Sequence, residues 1–222
     1  MLDLRLYALV DPERANGRPL DDLAREVVAG GATLVQLRDK QASTRRLVQE
    51  ARTIKEALRA SGVPLLINDR VDVALAAAAD GVHVGQDDMA VADARRLLGR
   101  QAIIGLSIKT MAQAQDAPLD LLDYVAIGGV FATASKDNPD PPIGAQGLRA
   151  LAATVRARAP ELPIAAIAGI DRSNAGDVIA AGADGVAVIS ALSMTPDPAA
   201  AARDVRAIID RALASRSLQS AR

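Results

Sequence analysis

Eight short apolar runs, each about six residues long, alternate with stretches of helical character along most of this chain. They are RLYALV (5–10), TLVQLR (33–38), PLLIND (64–69), GVHVGQ (81–86), AIIGLS (102–107), YVAIGG (124–129), PIAAIAG (163–169) and GVAVIS (185–190). Each is apolar on both faces, the pattern of a parallel strand covered on both sides. The intervening segments read as helices. Leu47, Ala51, Ile54 and Leu58 fall on one face, with Ser43 placed to cap that helix. The last helix is expected to start at Asp197-Pro198 and to bury Val205, Ile208, Ile209 and Leu213. AGGATLVQLR (29–38), AAADGVHVGQ (77–86) and AGADGVAVIS (181–190) repeat one plan: small residues ending a helix, a tight turn, a buried strand. Eight such units predict an α/β fold, a single-domain (β/α)8 barrel of the TIM type spanning 1–214, with a polar tail over 215–222. A doubly wound open sheet is the alternative.

In such a barrel the loops after the strands converge at one mouth, and chemistry collects there. The polar residues follow that rule. The second run ends in Gln36, Arg38 and Lys40, the third in Asn68-Asp69-Arg70, and the fourth in Gln86-Asp87-Asp88. The fifth carries Ser107 and Lys109, the sixth leads into FATASKDN (131–138), and the eighth ends in Ser190. The strand starts at Ala32, Pro64, Gly81, Pro163 and Gly185 are expected to be almost free of charge. Mixed charge at one mouth suits an anion together with a metal.

Composition removes other classes. With 26 Lys+Arg against 27 Asp+Glu, the chain has no charge bias toward nucleic acid or a membrane surface. Three aromatic residues, Tyr7, Tyr124 and Phe131, leave no platform for stacking bases. The absence of cysteine excludes disulfides, zinc thiolates and cysteine nucleophiles, and a single histidine excludes a histidine metal cluster. Asp3 and Arg5 interrupt any leader pattern, and no apolar run reaches membrane-spanning length, so a cytoplasmic protein is expected. Oligomeric state is open, a homo-oligomer included.

Asp69 and Asp88, at the ends of adjacent strands, suit one Mg2+ shared with substrate phosphates. Each could instead cap the helix that follows, and Asp87 competes with Asp88. Arg38, Lys40 and Lys136 are candidate diphosphate clamps, although any one of them alone reads equally as a solvated cation. Thr133, Ser135 and Lys136 suit an oxyanion, and Gly169 with Ile189-Ser190 sits where barrels bind phosphate. His83, between two valines, is expected to be a satisfied core histidine. The stretch ATASKDNPDPP (132–142) has no helical or strand period and is expected to close over a diphosphate, bringing in Lys136.

With these residues placed, the chain resembles the thiamine phosphate synthase family over nearly its whole length. QLRDK (36–40), LLINDRVDVALAAAADGVHVGQDDM (65–89), GLSIKT (105–110), TASK (133–136) and GADGVAVISAL (182–192) carry the resemblance. It implies a transferase that joins an aminopyrimidine bearing a hydroxymethyl diphosphate to a thiazole phosphate, through a pyrimidine carbocation. By the resemblance, Gln36, Arg38, Lys40, Asn68, Ser107 and Lys136 bind the pyrimidine diphosphate, with Arg38, Ser107 and Lys136 catalytic. Asp69 and Asp88 hold Mg2+, while Thr133, Ser135, Gly169, Ile189 and Ser190 hold the thiazole phosphate. The chain departs from the family pattern at Lys109 (histidine), Gly129 and Ala132 (prolines), Ser135 (threonine) and Ala168 (glycine). A thiazole tautomerase-like paralogue and a catalytically inert phosphate-binding barrel are the competing functions.

Overall fold

The structure, a computed structural model, describes residues 2–133 and 141–220, with side chains as far as residue 218. Eight strands are present among them: β1 Leu6–Val10, β2 Leu34–Leu37, β3 Leu65–Asn68, β4 Gly81–Val84, β5 Ile103–Ile108, β6 Tyr124–Ile127, β7 Ile164–Ile167 and β8 Gly185–Val188. Every neighbouring pair is parallel, and β8 pairs back onto β1, which closes the barrel and excludes the open sheet. The helices are α1 Leu20–Ala29, α2 Thr44–Leu58, α3 Val71–Ala77, α4 Val91–Leu98, α5 Met111–Asp116, α6 Gly144–Arg158, α7 Ala175–Ala180, α8 Ser190–Ser193 and α9 Pro198–Ser220. None is long and apolar enough to cross a membrane, among the described residues.

Strand periodicity sorts the side chains into two cores. On β1, Leu6, Ala8 and Val10 belong to the layer shared with the helices, while Tyr7 and Leu9 belong to the barrel interior. The same alternation puts Leu34, Leu66, Tyr124, Ala126, Ala165 and Ala187 inside. The helices present the expected faces: α2 buries Leu47, Ala51, Ile54 and Leu58, and Ser43 accepts a hydrogen bond from the Arg46 N–H at its start. Asp197 likewise accepts from the Ala200 N–H at the start of α9, at 2.8 Å. That helix continues past residue 214, where Arg216 donates to the Ile179 and Ala183 carbonyls and pairs with Asp184.

The expectation of uncharged strand starts is overturned. Asp80, Asp123 and Asp184 immediately precede β4, β6 and β8. Each carboxylate accepts from the backbone N–H at the beginning of the preceding strand: Leu65 at 2.7 Å, Ile104 at 2.8 Å and Ile164 at 2.9 Å. Thr33, before β2, does the same for Leu6 at 3.2 Å. Each acid also holds a cation from a covering helix, Lys55, Arg95, or Arg156 with Arg216. The reason lies in the backbone. A backbone N–H at the start of each odd strand needs an acceptor, and a short oxygen-bearing side chain at the turn before the next strand, Asp in three cases and Thr33 in the fourth, supplies it.

Candidate active site

Residues of all eight strands and of the loops after the first five line a cavity of about 800 Å3 at the mouth of the barrel, and its polar side chains come from the first five strands and their loops. Among its lining residues are Gln36, Arg38, Lys40, Asn68, Asp69, Asp87, Asp88, Ser107 and Lys109. The period of two explains the set. Gln36, Asn68 and Ser107 stand two residues beyond Leu34, Leu66 and Gly105, so the polar layer lies directly above the apolar filling of the barrel.

The two acids do not cap helices. The residue before α3 is Arg70 and the one before α4 is Ala90, and neither helix has a side-chain cap. Asp69 sits at φ +62°, a left-handed conformation that Asp tolerates better than most residues, and accepts from Lys40 Nζ at 2.8 Å. Asp88 folds back to accept from the Gly85 N–H at 2.7 Å. Partial burial pushes the Asp88 carboxyl above the ordinary carboxylate range; the Gly85 N–H opposes this, the neighbouring Asp69 carboxylate adds to it, and Lys40 opposes it. Asp87 also lines the cavity.

Arg38 is held by an acid that the sequence did not single out. Asp11, 1 % exposed at the end of β1, pairs with its guanidinium and also accepts from the Glu13 N–H. Beneath Arg38, Gln36 donates through Nε2 to the Tyr7 hydroxyl. His83 is buried, as expected, with both ring nitrogens in hydrogen bonds of 2.8 Å, to Tyr124 and Ser107, and it also forms part of the cavity wall. Tyr7, Tyr124, Asp11 and Arg14 are the site residues that pattern reading missed. The two tyrosines left one signal, namely that phenols are rare in a chain with so few aromatic residues.

A second cavity of about 490 Å3 adjoins the first and shares Arg14, Ile167, Ala187 and Ile189 with it. Thr133, Gly169 and Ser190 line it, and Arg14 is its one cationic side chain among the described lining residues. Gly169 adopts φ +64°, and a Cβ there would lie 2.3 Å from the Ala132 carbonyl oxygen, so the turn after β7 and the loop after β6 require glycine to approach this closely. Ala168 takes φ +95° without glycine's freedom. Gly129, at φ +70°, holds a conformation closed to proline. Ser135 and Lys136, and with them most of the stretch expected to close over a ligand, lie outside the described residues.

Comparison with known proteins agrees with the fold. The family model for thiamine monophosphate synthase matches residues 6–192. A thiamine-phosphate synthase of Agrobacterium fabrum is 53% identical over 215 residues, covering 97% of this chain and 98% of the relative. One from Chloroflexus aurantiacus is 47% identical over 209 residues, 94% of each. The solved structure of a thiamine phosphate pyrophosphorylase from Pyrococcus furiosus superimposes with a TM-score of 0.82 at 34% identity, covering 96% of this chain and 98% of that one. By closed barrel, matched span and identity, this chain belongs to the thiamine monophosphate synthase family, the transferases that make thiamine phosphate in thiamine biosynthesis.

Proposed function

We propose that the chain joins an aminopyrimidine carrying a hydroxymethyl diphosphate to a thiazole phosphate, releasing diphosphate in a Mg2+-dependent reaction. The observation that carries this reading is the pair of adjoining cavities with one shared wall. One is rich in carboxylates and cations, and the other is lined by small residues and tight turns. Two substrates held side by side, with the bond forming across the shared wall, need this layout.

In this reading Gln36, Asn68 and Ser107 hold the pyrimidine, and Arg38 and Lys40 hold its diphosphate. Gly169, Ile189, Ser190 and Thr133 receive the thiazole phosphate through backbone N–H and hydroxyl groups. The thiazole ring nitrogen forms a bond to the pyrimidine methylene carbon, and the C–O bond to diphosphate breaks with its electron pair going to the leaving group. The protein needs no nucleophile of its own; its work is to align the two rings and to stabilise the departing charge. Arg38 is suited to this because Asp11 fixes its guanidinium beforehand.

Asp69 and Asp88 would hold Mg2+. Their donor chemistry fits: both are hard oxygen ligands, and the Asp88 carboxyl, pushed up by partial burial and further by the Asp69 carboxylate beside it, lies next to a second acid. No cluster of three or more His, Cys, Asp or Glu able to hold a metal occurs among the described residues, so substrate oxygens and water would complete the shell, as Mg2+ prefers. The chemistry supplied by bound Mg2+ is neutralisation of charge on the departing diphosphate.

The deciding experiment is diphosphate release from the two purified substrates with and without Mg2+. Release that needs both substrates and the metal is expected. No release with all three present, or equal release after chelation, overturns the reading.

A further inference from the structure

Three groups buried deep in the barrel have no part in the reaction as described: Tyr7 and Tyr124, 1 % and 0 % exposed, and His83, 8 % exposed. They form one continuous chain. Gln36 Nε2 donates to the Tyr7 hydroxyl. The Tyr7 and Tyr124 oxygens lie 2.9 Å apart, Tyr124 Oη lies 2.8 Å from His83 Nδ1, and His83 Nε2 lies 2.8 Å from Ser107 Oγ. The chain therefore crosses the barrel interior from β2 to β5 through β1, β6 and β4, and its two ends are polar residues of the first cavity. Space for it is built in. A Cβ on Gly105, in the middle of β5, would come within 2.1 Å of Tyr124 Cζ, so glycine, otherwise unfavourable inside a strand, lets the phenol lie there.

With the Gln36 carboxamide oriented so that Nε2 faces Tyr7, the hydrogens in this chain run one way. An amide N–H can only donate, so the Tyr7 oxygen accepts and its own hydrogen goes to Tyr124. If Tyr124 donated to Tyr7 instead, the Tyr7 hydrogen would be left without an acceptor in a fully buried place, a costly state. Tyr124 then donates to His83 Nδ1. A ring nitrogen that accepts carries no hydrogen, so the neutral imidazole holds its proton on Nε2 and gives it to Ser107 Oγ. The Ser107 hydrogen remains and turns to the cavity. Burial pushes both phenols above their ordinary range. They keep their protons at working pH, so the chain orders hydrogens and does not release them.

We infer that this relay is a positioning device: Tyr7, Tyr124 and His83 fix the Ser107 hydroxyl as a donor into the first cavity, which selects a substrate that presents an acceptor there, such as a ring nitrogen or a phosphoryl oxygen. The substrate part of this inference rests on the proposed reaction; the direction of the relay does not. Turning the Gln36 carboxamide over would reverse every hydrogen in the chain and leave His83 protonated on Nδ1.

The single histidine makes the direction measurable, because a 15N-histidine NMR spectrum of the whole protein reports His83 alone. One dominant tautomer with the proton on Nε2 is expected. Tyr124→Phe removes the donor to Nδ1, and Tyr7→Phe cuts the link to Gln36; both should lose the tautomer bias. A dominant Nδ1–H form in the unmodified protein overturns the inference, and so does an unchanged spectrum in both variants. If Tyr124→Phe does not fold, Tyr7→Phe carries the same test. In the transfer assay each variant should lower kcat/KM for the pyrimidine substrate about tenfold, one buried hydrogen bond's worth, while KM for the thiazole phosphate stays the same. Equal losses on both substrates would mean general damage and would overturn the positioning role. If the unmodified protein released no diphosphate at all, the proposed reaction would fail and the spectra would still decide the direction of the relay.

Discussion

At the floor of the barrel Asp80, Asp123 and Asp184 each sit between a strand N–H and a cation from a covering helix. At the mouth Asp69 and Asp88 lie beside each other, with Lys40 on Asp69 and a single backbone N–H on Asp88. The residue type is the same at both ends. At the floor every carboxylate is compensated by its own neighbours, so it contributes to stability and has no demand left for a ligand. At the mouth negative charge is crowded, one acid takes a left-handed backbone, and the Asp88 proton is held more tightly than usual. Crowded carboxylates sharing one cation, together with an unusual backbone conformation at the converging loops, characterise a place made for binding.

The sharpest way to break this comparison is to remove a mouth acid. Asp69→Ala should lower turnover roughly a hundred- to a thousandfold at saturating Mg2+, the cost of losing a comparable electrostatic stabiliser, while thermal melting stays close to that of the unmodified protein. Asp88→Ala should behave similarly and Asp87→Ala mildly. Diphosphate release and circular dichroism measure the two halves of this statement. If Asp87→Ala proved the more damaging of the neighbouring pair, the metal ligand would be Asp87.

A floor acid should give the opposite pattern. Asp184→Ala strands the Ile164 N–H and takes the carboxylate partner from two arginines, Arg156 and Arg216, which keep only their backbone-carbonyl acceptors. Hydrogen bonds to a charged group put the loss at about 2–3 kcal/mol, or roughly 5–10 °C in melting temperature for a chain of this size. Turnover per folded molecule at 25 °C should be unchanged. A loss of turnover without a loss of melting temperature would erase the distinction between the two ends.

Arg14 tests the boundary between the two cavities at the mouth. As the cationic side chain that lines both, it is expected to meet the phosphate of the second substrate. Arg14→Gln should raise KM for the thiazole phosphate about tenfold and leave KM for the pyrimidine substrate nearly the same, by the net value of one charge-assisted hydrogen bond. Steady-state kinetics with each substrate varied in turn decides it, and an effect confined to the pyrimidine would move Arg14 to the other phosphate. The smallest effect is expected at Ala168. Its φ of +95° is strained for any residue with a Cβ, so Ala168→Gly should stabilise the protein by about 1 kcal/mol or less, after glycine's own entropic cost. Denaturant unfolding would show it, and a loss of stability would mean that the Ala168 methyl contributes more in packing than the backbone costs.

Much of this was legible in the chain. The eight runs and their common plan announced the barrel, because a strand covered on both faces and a helix with one apolar face can be recognised locally. The position of strand ends brought Gln36, Asn68, Ser107, Asp69, Asp88, Arg38 and Lys40 to one mouth, while the period of two that sets the first three above the interior emerged only with the strands in place. The tertiary structure alone decided which of these groups meet. Asp11 finds Arg38 across 27 positions, Lys40 finds Asp69 across 29, and Tyr7 finds Tyr124 across 117. It also decided that Asp69 and Asp88 leave their helices uncapped, and that Asp80, Asp123 and Asp184 belong to the floor. Local pattern fixes the face on which a side chain stands, because backbone geometry repeats every two or 3.6 residues. Partnership depends on where closure of the barrel brings distant strands together, and no short stretch of sequence carries that distance.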